Sequence, residues 1–154
     1  VRQALDGGVA AGFPVEDLRV IVYDGKSHPV DGKEIAFVTA GRKATIEAIR
    51  AAGPIVLEPI VTIEIVVPEA AIGDLTGDLS SRRGHITGTV PRAGGSALIT
   101  GEVPLAEVTE YASRLKSMTG GQGSYVIEFA RHAQVPPQVQ QKLAAAFRPK
   151  EDEE

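Results

Sequence analysis

Cysteine is absent from all 154 residues, so disulfides and thiolate metal sites are excluded. Three scattered histidines, His28, His85 and His132, cannot build a zinc site either. A reducing cytoplasm fits this composition. No run of about 18 apolar residues occurs, which excludes a membrane-spanning helix. Positive charge is not in excess: 16 Lys and Arg face 20 Asp and Glu, a formal net charge of −4. Four of the acids close the chain, Glu151-Asp152-Glu153-Glu154, and without them the balance is even. No overall basic field therefore exists to hold nucleic acid, and any contact with RNA must be local. The phosphate-loop pattern G-x-x-x-x-G-K-[ST] is missing as well. With 43% hydrophobic and 23% charged residues, the remainder has the mix of an ordinary globular protein.

Two patterns meet near Gly53-Pro54. The chain opens at Val1-Arg2-Gln3 without a targeting segment, inside what reads as a helix reaching Gly12, with Val1, Ala4, Leu5 and Val9 at helical spacing. It reads as a piece of a longer protein. A β-rich run, Leu18 to Tyr23, ends at the turn dipeptide Asp24-Gly25, and a polar loop follows. From Lys33 to Ala52 the spacing predicts a helix: Ile35, Val38, Ile46 and Ile49 fall within a stripe of roughly 80°. Phe37, Ala40, Gly41, Ala44 and Ala48 form a second face of mostly small residues. A lone strand between two helices leaves its edges unpaired, so its sheet partners are expected upstream.

From Ile55 to Arg148 the pattern is self-sufficient. Val61, Ile63, Ile65 and Val67 alternate with Thr62 and Glu64. Ile86 and Val90 oppose Thr87 and Thr89; Ala97, Ile99 and Val103 oppose Ser96, Thr100 and Glu102; Tyr125, Ile127 and Phe129 oppose Ser124 and Glu128. Period-two patterning predicts an antiparallel sheet with one buried face. Two helices interleave, one with Ile72, Leu75 and Leu79, the other with Leu105, Val108, Ala112 and Leu115. Pro68 and Pro104 precede them, and Gly84 and Gly120 are read as their C′ residues. The order βαββαβ is the ferredoxin-like split βαβ. After Pro136-Pro137 a last helix carries Val139, Leu143 and Phe147. The fold class is α+β, a ferredoxin-like domain preceded by a helix–strand–helix.

Chemistry is scarce. Gly120-Gly121-Gln122-Gly123 could cradle a phosphate, but reads as a turn between helix and strand. Asp74 and Asp78 stand at i, i+4, too few ligands for a hard cation, and read as a solvated face. Ser27, His28 and Asp31 bring hydroxyl, imidazole and carboxylate together, yet neighbours on one loop rarely reach triad geometry. There Asp31 reads as a helix cap, with Glu34 completing a capping box. A recognition loop for RNA riboses and phosphates, with Lys26 as its positive charge, is the alternative. An RNA-recognition motif shares the βαββαβ order, but needs aromatics on the open sheet face; here that face carries Thr, Ser and Glu. Arg82-Arg83-Gly84-His85 is the concentrated basic spot, set at a helix end where the dipole favours cations. His85 and His132 read as strand-end residues.

These residues resemble a known family. The stretch Val22-Tyr23-Asp24-Gly25-Lys26-Ser27-His28-Pro29-Val30-Asp31, then Glu34-Ile35-Ala36-Phe37, is similar to the tip of domain IV in elongation factor G. Leu57-Glu58-Pro59-Ile60, Gly73-Asp74, Gly77-Asp78-Leu79, Arg82-Arg83-Gly84, Val103-Pro104-Leu105-Ala106-Glu107 and Tyr111-Ala112 resemble its domain V. The resemblance covers nearly all of the chain except the acidic tail. It implies residues 1–53 as the end of domain IV with a tip loop at 24–32, residues 54–148 as a ferredoxin-like domain V, and 149–154 as tail.

The resemblance further implies a cytoplasmic translational GTPase that drives tRNA and messenger through the ribosome. No enzyme activity is expected of this piece, no cofactor in it, and no metal site; GTP and Mg²⁺ would belong to the parent protein. Lys26, Ser27, His28 and Asp31 become RNA-facing residues in the decoding centre, with Gly25 and Gly32 shaping the loop. Arg82 and Arg83 become candidate ribosome contacts near the large-subunit stalk base. Partners are then ribosomal RNA, tRNA and messenger, with no membrane, and the piece is expected to be a monomer. Some positions depart from the family pattern: Gly32-Lys33 stand where two serines are typical, and Ser27 where an aromatic is usual. Pro29 and the Ser80-Ser81 pair are less usual too. They point to an elongation-factor-G-like paralogue, with ribosome recycling or tetracycline protection as alternative roles. A ligand-sensing or scaffold ferredoxin-like domain is the alternative of a different class. An acyl-phosphate hydrolase fails, because the loop from Pro68 to Gly73 has no Arg to bind phosphate.

Overall fold

The computed structural model describes residues 1–26 and 32–148, the side chain of Gln3 excepted. The chain forms two compact units, residues 1–56 with 134 onward, and residues 57–133, so it passes between them twice. The last helix belongs to the first of these units.

In the second unit, alternation along β1 (Leu57–Pro68) places Val61, Ile63, Ile65 and Val67 in the core and leaves Glu64 in solvent. With β2 (His85–Arg92), β3 (Ser96–Pro104) and β4 (Ser124–Gln134), it builds one sheet of order β2-β3-β1-β4. β3 pairs antiparallel with β1, Ile99 opposite Ile65 and Val103 opposite Val61, and also antiparallel with β2. Two helices, α3 (Ile72–Ser81) and α4 (Tyr111–Thr119), supply Leu75, Leu79, Tyr111 and Leu115 to the same core. Each such side chain contributes roughly 1.5–3 kcal/mol by leaving water. Both helices are entered alike: a strand ends at Pro68 or Pro104, and a 3₁₀ turn follows, Glu69–Ala71 or Leu105–Glu107. Proline ends the strand because it has no N–H to donate to the ladder. This is the expected ferredoxin-like α+β architecture.

Four details differ from the expected pattern. A β-bulge between Ile86 and Gly88 shifts the register of β2, so Val90 faces Leu98 on the open side and is 57% exposed. Phe129 is 58% exposed, although alternation counted from Tyr125 predicts it on the helix side. β4 is an edge strand of 11 residues, about 36 Å long. The 9-residue α4 spans about 14 Å and cannot cover it. Of that row, Tyr125 reaches the core, with its ring edge-on to Tyr111 at 5.6 Å. Turn residues between Glu107 and Tyr111 break the helical phase, so Tyr111 points inward and Ala112 outward.

The fourth concerns the end of α3. Gly120 is left-handed after α4, as expected, but after α3 the left-handed residue is Arg83, at φ 61°. The Arg83 N–H donates to Ser80 O at 3.2 Å and the Gly84 N–H to Leu79 O at 2.8 Å, a Schellman motif with Arg83 at C′ and Gly84 at C″. Gly84 is required for closeness: a Cβ there would stand 2.7 Å from the Leu79 carbonyl oxygen.

The first unit contains α1 (Arg2–Asp6), α2 (Glu34–Ala51) and α5 (Pro137–Ala146). α1 stops well short of Gly12 because Gly8, at φ 72°, turns the chain. α1 packs on α2, where Thr45 is buried and its hydroxyl donates to Gly41 O at 2.7 Å. After α5, the Phe147 ring lies over Gly12, where a Cβ would come within 2.9 Å of it. The expected strand from Leu18 to Tyr23 does not form: no strand among the described residues pairs with it, and Tyr23 is 94% exposed. An extended segment without a neighbour cannot satisfy its backbone as a ladder. The small-residue face of α2 is mostly solvent-exposed as well, and so are Ile35, Phe37 and Val38. The N-cap of α2 is Lys33, without a side-chain cap, and Glu34 opens the helix; Asp31, read as its cap, lies outside the described residues. No helix among the described residues is long and apolar enough to cross a membrane.

The glycines of α3 separate packing from propensity. Gly84→Ala is expected to destabilise the second unit by roughly 2 kcal/mol, since its Cβ meets backbone. Gly77→Ala, whose Cβ meets nothing within 4 Å, should stabilise it by about 0.5–1 kcal/mol through helix propensity. Urea titrations of both variants check the sign of each.

Candidate functional site

Two places carry the expected functional residues. The first is the loop at 24–32. Ser27, His28 and Asp31 lie outside the described residues. Of its flanks, Asp24, Gly25, Lys26 and Gly32 are exposed. The Gly25 N–H donates to the Asp24 carboxylate at 2.7 Å, so the loop opens on an Asp side chain folded onto its own backbone. Gly25 adopts no left-handed backbone, and a Cβ there would meet nothing within 4 Å.

The second place is the end of α3, where the structure adds partners that local sequence did not reveal. Asp78 is not part of a solvated face. Its side chain is 7% exposed, and it accepts from Arg82 Nε at 2.9 Å through Oδ2 and from Arg114 Nε at 2.9 Å through Oδ1. Burial works to raise its pKa, but these two hydrogen bonds and the two guanidinium charges prevail and hold the carboxyl below its usual 3.8. Arg82 also donates to the Glu107 carbonyl at 2.8 Å and lies over the Tyr111 ring at 5.3 Å, a cation–π contact. Tyr111 is 0% exposed. Burial, then the nearby Asp78 charge, push its phenol up to about 12.

Arg83 forms a second clamp. It grips Glu58 with both terminal nitrogens, at 2.6 and 3.0 Å, and reaches Glu107 Oε1 at 3.0 Å. Its pKa is raised, first by the Glu58 hydrogen bond. Bidentate geometry of this kind is the strong form of the interaction. Thus Arg82 and Arg83 both hold acids of their own unit, with side chains 29% and 31% exposed. Between α3 and α4, an open groove of about 400 Å³ is lined by Asp74, Gly77, Asp78, Ser81, Arg114 and Met118. Asp74 stays exposed in it. The Arg82 partnership was readable in principle, since Asp78 and Arg82 stand at i, i+4. Arg114, Glu58 and Glu107 carried no such signal.

Among the described residues no cluster of three or more His, Asp or Glu could hold a metal. The Gly120–Gly123 stretch is a turn: Gly123 N–H donates to Thr119 Oγ1 at 2.9 Å, and a Cβ on Gly123 would crowd Leu115 and Thr119. His85 begins β2, and His132 lies near the end of β4 with its ring 5.1 Å from that of Phe129. On the open sheet face Arg131 pairs with Glu102 at 2.6 Å.

Comparison with known proteins gives a consistent result. A family model described as elongation factor G, domain IV, matches residues 1–53, and one described as elongation factor G C-terminus matches residues 55–143. An elongation factor G-like protein of Thermotoga maritima is 43% identical over 143 residues, which is 93% of this chain and 21% of that protein. The crystal structure of a Thermus thermophilus protein superposes with a TM-score of 0.74 at 40% identity, covering 93% of this chain and 22% of the other. The chain thus spans about a fifth of the length of these relatives.

Two titrations report on the cluster. Because the folded pKa of Asp78 is depressed, its contribution is present above the unfolded value and lost as pH falls below about 3.8. The stability gap between the natural chain and Asp78→Asn should therefore narrow as pH drops from 5 toward 2 (roughly the window set by that linkage), measured by thermal melts. For Tyr111 the sign is opposite: the raised folded pKa makes its contribution full below 10.0 and lost as pH rises toward about 12. Phenolate absorbance should show one tyrosine of three titrating late, a step missing in Tyr111→Phe.

Proposed function

The chain belongs to the elongation factor G family, and from that premise we propose that it is the ribosome-facing, C-terminal part of a translational GTPase. The observation that carries the proposal is the succession of the domain IV and C-terminal family models along the chain, in the order expected from its motifs. In this reading residues 1–53 end domain IV, 54–148 form domain V and 149–154 are a tail. The loop at 24–32 enters the decoding centre of the small subunit, in the cytoplasm.

Lys26, Ser27, His28 and Asp31 face the messenger–tRNA duplex, where a cation, hydroxyl, imidazole and carboxylate offer donors and acceptors to ribose and phosphate. Gly25 and Gly32 shape the loop. Exposure of Asp24, Gly25 and Lys26 supports an outward-facing tip. The second unit faces the large subunit near the stalk base. Arg82 and Arg83 are its candidate contacts; each side chain stays partly exposed while its guanidinium holds Asp78, or Glu58 and Glu107. No bond is made or broken by this chain. It acts as a packed wedge that carries a movement generated elsewhere and occupies space behind the advancing tRNA. GTP and Mg²⁺ enter as groups of the parent protein, because this sequence has no phosphate loop to hold them.

In the full-length protein, His28→Ala is expected to slow translocation about tenfold, roughly 1.4 kcal/mol on the barrier. Ribosome affinity should change by less than about threefold. Rapid-kinetics and binding measurements on the same preparation decide it: an equal loss of rate and affinity counts against a tip role.

A further inference from the structure

The groove between α3 and α4 lies wholly within the second unit, and one of its lining residues is set apart by its bonding. Arg82 donates through Nε to Asp78 and through Nη1 to the Glu107 carbonyl, and Arg83 engages all three of its nitrogens on Glu58 and Glu107. Arg114 donates through Nε alone, to Asp78 Oδ1 at 2.9 Å, and its side chain is 54% exposed. Neither of its terminal nitrogens has a partner among the described residues. Asp78, nearly buried and held from its other oxygen by Arg82, is a fixed anchor. A guanidinium tethered through Nε keeps its outer edge, two parallel N–H donors, in a set orientation. It loses less freedom on binding than an untethered surface arginine does.

The rest of the lining decides what that fork can meet. Asp74, one helical turn before Asp78, is exposed and has no ion-pair partner among the described residues. Its carboxylate disfavours a lone anion on Arg114, and Arg114 disfavours a lone cation on Asp74. A neutral group that accepts on one edge and donates on another satisfies both. Ser81 gives its proton to Asp78 O at 2.6 Å, so toward a ligand it only accepts. Met118, packed against the core, offers the polarizable surface that aromatic rings contact favourably. Gly77 leaves room above the helix, since a Cβ there would meet nothing within 4 Å. A planar base meets these conditions, and guanine meets them best. Its O6 and N7 accept two parallel N–H bonds from an arginine, while its N1–H and amino group donate to a carboxylate. Adenine presents a donor where O6 stands, and pyrimidines lack N7.

We propose that the α3–α4 groove is a binding site for an unpaired guanine of RNA. Arg114 reads O6 and N7, Asp74 accepts from N1–H and the amino group, and Asp78 positions the guanidinium. The site belongs to the translational reading, on which it rests for the source of its RNA. Bases outside a helix are those that proteins read by their edges, and such a contact needs no net positive charge.

The measurement is a ¹H–¹⁵N titration of the full chain with two pentaribonucleotides, UUGUU and UUAUU. UUGUU is expected to shift the amides of Asp74, Gly77, Asp78, Arg114 and Met118, and to bind at least about fivefold more tightly than UUAUU. Arg114→Lys keeps the charge but loses the fork, and should abolish that preference with amide shifts of the β1–β3 core unchanged. Gly77→Ala should weaken UUGUU binding while raising thermal stability, a combination that a merely structural role does not produce. Equal binding of the two oligonucleotides, shifts confined to residues outside the groove, or a preference that survives Arg114→Lys overturns the proposal. Should Arg114→Lys disturb the core, Asp74→Asn decides by the same criterion, because Asp74 is exposed and in no ion pair among the described residues. No ribosome is present in this titration, so its failure leaves the proposed function standing. Failure of the full-length protein to bind ribosomes would sink that function and leave a guanine preference intact.

Discussion

One-sided burial of β1 sets the second unit. Val61, Ile63, Ile65 and Val67 are nearly sealed from solvent. Moving the strand by one residue would bring Thr62 and Glu64 into their places. An unpaired carboxylate in that core would cost several kcal/mol, so the register is strongly specified. With β1 fixed, β3 must place Ile99 and Val103 opposite Ile65 and Val61, and both helices must settle on the side those residues define. The matching turns after Pro68 and Pro104 then aim the helices onto the sheet in the same way.

Charge on this scaffold is arranged by the same rule of satisfaction. A carboxylate buried as Asp78 is needs partners, and two arginines from different helices provide them. Arg83 bears a left-handed backbone costing about 1–2 kcal/mol for a residue with a Cβ. Glycine there would relieve that strain, but would give up the bonds to Glu58 and Glu107. The following position cannot make the reverse exchange, because the Leu79 carbonyl stands where a Gly84 side chain would go. The order Arg82-Arg83-Gly84 thus follows from local geometry, whatever else these residues touch.

How far the sequence could be read depends on the range of the interaction responsible. Period-two burial in β1 and β3, the prolines before the helices and Gly120 at the end of α4 are local effects, legible from neighbours. The bulge beside Thr87 reversed Val90, and the turn at 108–110 reversed Ala112, because short insertions of this kind reset phase without leaving a compositional mark. Phe129 fits the alternation of its strand yet lies exposed on an edge strand longer than the helix beside it, which is a matter of lengths. The Leu18–Tyr23 run has β composition without a partner strand, and propensity alone does not make a ladder. At the arginine cluster, the i, i+4 pair was within reach, whereas Arg114 and Asp78 are 36 residues apart and only the packed helices bring them together.

Internal pairing of the arginines also bears on how a chain without net positive charge could serve an RNA-rich partner. A guanidinium engaged with a buried or clamped carboxylate contributes less to the field felt by a distant phosphate than a free one does. Arg82 and Arg83 are engaged in this way, and Arg131 is paired with Glu102 on the open sheet face. The second unit is then poorly suited to holding RNA by charge alone, and salt-dependent, sequence-blind association should be weak. Under the proposed function that is an advantage. A wedge that must enter and leave at each step gains from shape and a few placed contacts, because a strongly basic surface would slow its release.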